Sequence, residues 1–240
     1  MACTGADHDH ATAVLLDVDG TLLDSNGAHA RAWIEALTAV GIHVSIERIL
    51  WMIGMGGDKI LPELGVEPDS ARARMISAQR RHAFLTRHLP ACRPQPGACA
   101  LLRRLGEDGL RRIVATSAHR DELAPLLERA GVADCIDGAA TSGDAARSKP
   151  DPDIVCAALA RARVPATAAV FIGDTPYDVE SGQRAGVTVL ALRCGGWDDA
   201  SLTGAAAIYD SPADLLARYA DSPLAWHIAG PRRWRPHAGA

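Results

Sequence analysis

Lysine is nearly missing from this chain of 240 residues. Of its 25 basic residues only Lys59 and Lys149 are lysines, and arginine serves elsewhere. Lysine places a compact charge on a flexible stem, whereas arginine presents a planar fork of donors. A position that keeps lysine against this bias is therefore a candidate for a site that needs a point charge.

The chain also lacks an apolar run near the roughly 18 residues that cross a bilayer. Residues 1–12 hold two Asp-His pairs but neither a basic nor an apolar stretch, so they predict a loose tail, not a signal peptide or metal site. A net charge of −4 disfavours nucleic acid as a partner. We expect a soluble monomer or homodimer with no membrane or nucleic-acid partner.

Closely spaced cysteine pairs are missing as well. The six cysteines show no C-x-x-C spacing, which disfavours a zinc site or a redox pair. They predict reduced, mostly buried thiols in a cytoplasmic protein.

What is present begins with a short apolar stretch, residues 13–16, that predicts a strand buried on both faces. It runs directly into Asp17, Val18 and Asp19. Side chains alternate along a strand, so the two carboxylates point to the same side. Two like charges in one small volume require a cation such as Mg²⁺ or a shared proton, which suggests a metal site, an acid/base pair or both.

The next segment, residues 24–91, is predicted to be entirely helical. Its last helix is expected to start near Ser70 and to bury Ala71, Met75, Ala78 and Leu85. Asp58 is predicted to cap the helix before it. This segment is expected to form an inserted cap, with residues 13–23 and 92–220 as the core domain and residues 221–240 as a tail.

From residue 92 onward, strand and helix patterns alternate, with strands predicted at residues 112–115, near 136, at 168–172, 187–192 and 207–208. Such alternation predicts an α/β fold, a doubly wound parallel sheet with helices on both faces. Ligands of such sheets bind at the carboxyl ends of the strands.

Chemically active groups follow several of these strand ends. Thr116 and Ser117 follow the second strand, Asp174 follows the fourth, and Lys149 precedes a helix. Each alone has a plain structural explanation as a cap or surface charge. Together with Asp17 they predict one crevice lined by carboxylates, hydroxyls and an ammonium group.

These residues resemble the haloacid dehalogenase superfamily of phosphohydrolases. The matching motifs are Asp17-Val18-Asp19-Gly20-Thr21, Thr116, Lys149-Pro150 and Gly173-Asp174-Thr175-Pro176-Tyr177-Asp178. The helical segment resembles the cap that this superfamily inserts after its first motif. Among the members, the chain resembles phosphoglycolate phosphatases and β-phosphoglucomutase-like phosphatases.

The resemblance implies a Mg²⁺-dependent phosphatase that acts on a small phosphate ester, such as phosphoglycolate or a short sugar phosphate. Asp17 would be the nucleophile that forms an aspartyl-phosphate, and Asp19 the general acid/base. Thr116 and Lys149 would hold the phosphoryl oxygens, assisted by Gly20, Thr21 and Ser117.

The metal ligands implied by the resemblance are Asp17, the main-chain carbonyl of Asp19, Asp174 and, directly or through water, Asp178. Hard oxygen ligands of this kind suit Mg²⁺ and not zinc.

Two cap residues are predicted to contact the substrate. Lys59 follows the glycine-rich loop Gly54-Met55-Gly56-Gly57, and His29 lies on the first cap helix. Each has an alternative as a solvated or packed side chain.

Other activities remain open. A sugar-phosphate mutase is the nearest rival, although the mutases usually carry Glu-Asp where this chain has Gly173-Asp174, and an arginine where it has Gly57. A phosphonoacetaldehyde hydrolase would use Lys59 for a Schiff base, but such enzymes lack the acid at Asp19. A receiver-type signalling module would need no cap.

Overall fold

The structure is a computed structural model that describes residues 12–225. Residues 1–11 of the predicted N-terminal tail and the part of the predicted C-terminal tail from residue 226 onward lie outside the described residues.

Eight strands are present in this part of the chain. They are β1 (Ala13–Leu16), β2 (Leu23–Asp24), β3 (Arg93–Pro94), β4 (Arg111–Ala115), β5 (Gly138–Ala140), β6 (Ala169–Gly173), β7 (Thr188–Leu192) and β8 (Ala207–Tyr209). Six form a parallel sheet in the order β5-β4-β1-β6-β7-β8, whereas β2 and β3 form a separate antiparallel ribbon. The predicted parallel sheet is confirmed.

Nine α-helices accompany the strands between residues 12 and 225. They are α1 (Asn26–Thr38), α2 (Ile46–Leu50), α3 (Gly57–Glu63), α4 (Ala71–Ala83), α5 (Ala98–Glu107), α6 (Arg120–Ala130), α7 (Asp153–Ala162), α8 (Pro176–Arg184) and α9 (Pro212–Ala217). A π-helical turn, Phe84–His88, extends α4. No helix in the described range is long and apolar enough to cross a membrane.

The alternation of β1 explains how the sheet is covered on both faces. Val14 and Leu16 belong to one buried cluster, whereas Ala13 and Leu15 belong to another. Because all four side chains are fully buried, the strand delivers Asp17 from the middle of the core to the edge of the sheet.

The β2–β3 ribbon joins the core to the cap. Leu23 pairs with Pro94, and Asp24 pairs with Arg93. Sequence patterns did not indicate these strands because two residues are too short to show a period of two. The ribbon lies next to the predicted cap boundaries at residues 24 and 91, which we keep as the proposed division.

The cap has its own apolar cluster, which includes Trp33, Leu37, Ile49, Ile60 and Ile76. The predicted buried face of α4 is wrong. Ala73, Ile76 and Ala83 are buried, whereas Met75 is 46% exposed. Ile76 belongs to the same apolar cluster as Trp33 and Leu37 of α1, whereas Met75 lies one residue away on the helix and faces another direction.

Two smaller expectations also need correction. Asp58 lies in the first turn of α3 and does not cap it, since Gly56 occupies that position. Of the five cysteines in the described chain only Cys92 is buried, and Cys156 is exposed, so the thiols are not mostly buried.

Candidate active site

Three neighbouring strands bring the predicted residues together. Asp17 follows β1, Thr116 follows β4 and Asp174 follows β6, and β1 lies between the other two. Because the strands are parallel, their carboxyl ends meet at one edge of the sheet. All three side chains are buried there.

Lys149 is fully buried between two carboxylates. Its Nζ lies 2.5 Å from Asp17 Oδ1 and 2.7 Å from Asp178 Oδ1. Burial opposes its charge, but Asp17 and then Asp178 hold the pKa of the ammonium group above its usual value. Burial raises the pKa of Asp17 to about 7, against the attraction of Lys149. One cation is therefore not enough to keep this carboxylate fully ionised at neutral pH.

Asp174 is held by a ring of core and cap groups. Thr21 Oγ1 donates to its Oδ1 at 2.7 Å, and Asn26 Nδ2 donates to its Oδ2 at 3.0 Å. Gly20, with a φ of +79°, and Gly195 approach so closely that a Cβ on either would lie about 2 Å from Asp174 Oδ2. Burial, and then Asp178 and Asp17, raise the pKa of Asp174 well above its usual value.

This donor set fits a hard divalent cation. Asp17, Asp174 and Asp178 each offer a carboxylate oxygen, and the three oxygens lie within 4.8 Å of one another. Among the described residues, the buried Asn26 Oδ1 has no hydrogen-bond partner, and Asp178 Oδ1 contacts the Lys149 ammonium group alone. Three buried carboxylates beside a single ammonium group leave an excess of negative charge, which a Mg²⁺ ion would neutralise.

Asp19 lies in a different environment. Its Oδ1 accepts hydrogen bonds from Ser25 Oγ at 2.6 Å and contacts His29 Nε2 at 2.8 Å. Burial opposes its ionisation, but His29 and Ser25 together hold the pKa of Asp19 below its usual value. Ser25 lies at the N-cap position of α1, yet its side chain makes no capping bond. Its hydroxyl is committed to Asp19 instead.

A cavity of about 50 Å³ lies between the core and the cap. Asp17, Asp19 and Thr116 line it from the core, whereas His29 and the loop of residues 54–57 line it from the cap. The contact between Ser117 Oγ and Gly54 O, at 3.1 Å, closes one side. The cap therefore covers the acid groups, although Asp19 stays partly exposed.

Arg80 is the cap residue that sequence patterns missed. It lines the cavity, and its guanidinium group lies 5.4 Å from the centre of the Trp33 ring. Its two terminal nitrogens contact the buried carboxylate of Glu122, on core helix α6, at 2.6 and 3.2 Å. Its Nε is buried and has no hydrogen-bond partner in the described chain. The sequence separation of 42 residues gives no periodic signal for this pair.

Not every predicted site residue lines the cavity. Lys59 lies outside its lining, and its Nζ contacts Asp151 Oδ2 at 2.6 Å. Gly20 and Thr21 also lie outside it and contact Asp174. His29 and Ser117 are in the lining, and His29 stacks on Phe84 with ring centres 3.7 Å apart.

This arrangement of strand-end carboxylates, lysine and cap defines a class of protein, and comparisons with known proteins agree. The sequence model of the haloacid dehalogenase-like hydrolase family matches residues 14–192. The chain belongs to this family, and the prediction of a phosphatase-type member is confirmed.

Individual relatives share about a third of their residues with this chain. N-acetylmuramic acid 6-phosphate phosphatase of Pseudomonas aeruginosa is 30% identical over 213 residues, which cover 85% of this chain and 92% of the relative. Phosphoglycolate phosphatase of Rhodospirillum rubrum is 30% identical over 216 residues, or 85% and 88% of the two chains.

A crystal structure of a hydrolase from Pseudomonas syringae is similar throughout, with a TM-score of 0.81 and 32% identity over 87% of this chain and 97% of that one. The Arabidopsis thaliana protein SUPPRESSOR OF QUENCHING 1, chloroplastic, is 30% identical over 200 residues, but this chain covers only 18% of its length.

Proposed function

We propose that this protein is a Mg²⁺-dependent phosphatase that hydrolyses a small phosphate monoester through an aspartyl-phosphate. The observation that supports this most strongly is the enclosure of Asp17, Asp19 and Thr116 around one cavity, with Lys149 against Asp17. It combines a nucleophile, an acid/base group and phosphate-binding groups in one place.

The reaction proposed has two steps. An Asp17 oxygen attacks phosphorus and displaces the alcohol oxygen of the ester, which takes a proton from Asp19. Because the pKa of Asp19 is held low in the free site, Asp19 would take up this proton when the negatively charged phosphate ester binds beside it. A water molecule then attacks the phosphorus of the aspartyl-phosphate while Asp19 accepts its proton, which restores the Asp17 carboxylate and releases inorganic phosphate.

The remaining residues would position the phosphoryl group. Thr116 and the Lys149 ammonium group would contact its oxygens, and this arrangement would supply most of the rate through charge stabilisation. A Mg²⁺ ion held by Asp17, Asp174, the Asp19 carbonyl and, directly or through water, Asp178 would neutralise charge on the phosphoryl group. Gly20 and Thr21 would act on this site indirectly, through Asp174.

The cavity favours a short leaving group. Its volume of about 50 Å³ is small, although a neighbouring cleft of about 250 Å³ shares Trp33, Gly57, Arg80 and Ser117 with it. We propose phosphoglycolate or a short sugar phosphate, because named relatives act on phosphoglycolate and on N-acetylmuramic acid 6-phosphate. The leaving group would extend toward His29 and Arg80.

The alternatives fit the geometry less well. An acidic side chain at Gly173, as in the mutases, would put its Cβ 2.5 Å from the Asp178 side chain. Lys59 is paired with Asp151 outside the cavity, which opposes a Schiff-base role. A receiver module is not a haloacid dehalogenase-like hydrolase.

We also propose a cytoplasmic location and a small-molecule substrate as the main partner, with no membrane or nucleic-acid partner and with the protein a monomer or homodimer. Free thiols at the five described cysteines support a reducing compartment, and the net charge of −4 opposes binding to nucleic acid.

Asp17→Asn and Asp19→Asn test the chemistry. Asp17→Asn should lower kcat by about 10³-fold or more because it removes the nucleophile. Asp19→Asn should slow both leaving-group protonation and hydrolysis of the intermediate, so it should form little aspartyl-phosphate from an alkyl ester. Release of phosphate should be measured with p-nitrophenyl phosphate and a panel of phosphorylated metabolites. Near-normal turnover by Asp17→Asn would refute the proposal.

A further inference from the structure

The cap contacts both sides of Lys149 through Gly56 and the first turn of α3. On one side, Gly56 N donates to Ser148 Oγ at 2.9 Å, and Ser148 N donates to Asp58 Oδ2 at 3.1 Å. On the other side, Lys59 Nζ donates to Asp151 Oδ2 at 2.6 Å. The residue between these contacts is fully buried and pairs with Asp17.

We propose that Asp58 and Lys59 are positioning residues that hold the Lys149 loop, residues 148–151, when the cap is closed. This proposal rests on the proposed phosphatase function, since it concerns how Lys149 is placed for the reaction. Asp58 accepts a hydrogen bond from the backbone N–H of Ser148, just before Lys149, and Lys59 donates to the side chain of Asp151, two residues after it. Closure of the cap would thereby set the catalytic ammonium group as well as exclude water.

The packing around the loop supports this role. Ser148 and Asp151 are 4% and 8% exposed, so the cap reaches a buried part of the core edge. A Cβ on Gly56 would lie 2.7 Å from Ser148 Cβ, which shows how closely the two backbones approach. A displacement of about 1 Å at a reacting group can reduce the rate by about 100-fold. Contacts with a modest effect on folding can therefore have a large effect on kcat.

Substrate contact and loop positioning make different predictions for Lys59. A residue that contacts the leaving group affects only substrates that carry the matching group. A residue that acts through Lys149 affects all phosphate esters, because Lys149 serves the phosphoryl group they share. The comparison of two substrates therefore separates the roles.

The experiment uses the full chain with Mg²⁺, p-nitrophenyl phosphate and the best metabolite from the panel. Lys59→Met and Asp58→Ala should each lower kcat by about 5- to 10-fold on both substrates and leave KM within about twofold. Lys59→Arg should retain most activity, since it keeps a donor for Asp151. Lys59→Met combined with Asp151→Ala should be no slower than the slower single variant, because both remove the contact between Lys59 and Asp151.

Arg184→Gln and Arg147→Gln are matched controls. Both arginines also lie near Asp151 Oδ1, at 3.5 and 3.3 Å, but neither belongs to the cap. These variants remove a charge beside Asp151 without cutting the link to the cap, and kcat should stay near that of the wild type.

Hydrogen exchange gives a readout that does not depend on turnover. In Asp58→Ala, the amides of Ser148, Lys149 and Asp151 should exchange faster, while those of β1 and β6 keep their protection. If the wild type hydrolyses no ester, the proposed function fails, and this measurement still tests the loop contact. Loss confined to the metabolite, no loss on either substrate, or uniformly faster exchange would overturn the proposal.

Discussion

The two carboxylate oxygens of Asp178 make different contacts. Its Oδ2 accepts hydrogen bonds from Asp174 N, Thr175 N and Thr175 Oγ1 at the start of α8. Its Oδ1 faces Lys149. Asp178 can therefore cap the helix and contribute to the site at the same time, because the capping bonds fix the orientation in which its other oxygen meets the Lys149 ammonium group.

Arg80 leads to a prediction about selectivity. Its unpartnered Nε and its place in the cavity lining suit an acceptor on the leaving group, such as a carboxylate. Replacing Arg80 alone would leave Glu122, which is fully buried, as an unpaired charge, at a cost of about 3–5 kcal/mol of stability. The informative variant is therefore Arg80→Met with Glu122→Gln.

This double variant should lower kcat/KM for phosphoglycolate by about 10-fold, or roughly 1.4 kcal/mol, and affect p-nitrophenyl phosphate less. Steady-state kinetics on both esters provides the measurement, with Glu122→Gln as the control that keeps the guanidinium group. Equal losses of kcat/KM on the two esters would contradict this prediction and would mean that Arg80 only holds the cap against the core.

The sequence predicted the position of a residue in the site wherever that residue follows a strand of the parallel sheet. Asp17, Thr116 and Asp174 come together because the fold brings parallel strand ends to one edge, which the pattern of strands predicts. Arg80 and Glu122 were not predicted because their contact depends on how the cap lies over the core. The contact between Lys59 and Asp151, which lies 92 residues further along the chain, was not predicted for the same reason.

At the scale of elements, α4 shows how a helix can mislead. A helix with arginines on several sides offers more than one apolar stripe, and the neighbours decide which stripe is buried. The structure buries Ala73 and Ile76 and exposes Met75. Residues that lie next to each other in sequence therefore differ sharply in their expected contribution to stability.

Ile76→Ala should reduce the free energy of unfolding by about 2–4 kcal/mol, because it leaves a cavity in the apolar cluster of the cap. Met75→Ala should change it by less than about 0.5 kcal/mol, since nearly half of that side chain is exposed. Urea unfolding of the two variants gives the comparison. Similar destabilisation by both would contradict the observed face of α4.

At the scale of the whole molecule, the site concentrates negative charge that the rest of the protein does not balance. Burial, and then nearby carboxylates such as Asp178, raise the pKa values of Asp17 and Asp174. A carboxyl group with a pKa higher in the folded than in the unfolded protein stabilises the fold at low pH. That contribution disappears as the pH rises through the folded-state pKa.

In EDTA, the free energy of unfolding should therefore fall between about pH 5 and pH 8, by a few kcal/mol. Mg²⁺ should restore it, and the restoration should grow with pH, because ionised carboxylates bind the ion more strongly. Thermal unfolding across this pH range, with and without Mg²⁺, checks both effects. A flat profile in EDTA, or stabilisation by Mg²⁺ that is equal at pH 5 and pH 8, would contradict the three-carboxylate site.

The ribbon of β2 and β3 has a consequence for how such enzymes diversify. Leu23 and Pro94 are paired, so the chain leaves the core and returns to it at almost the same point, with paired backbones roughly 5 Å apart. The entropy of closing a segment between two such points changes only slowly with its length. A segment of quite different size can thus be inserted at this point, by evolution or by protein engineering, without changes at the strand ends that carry the site. The same core can therefore accept different cap domains.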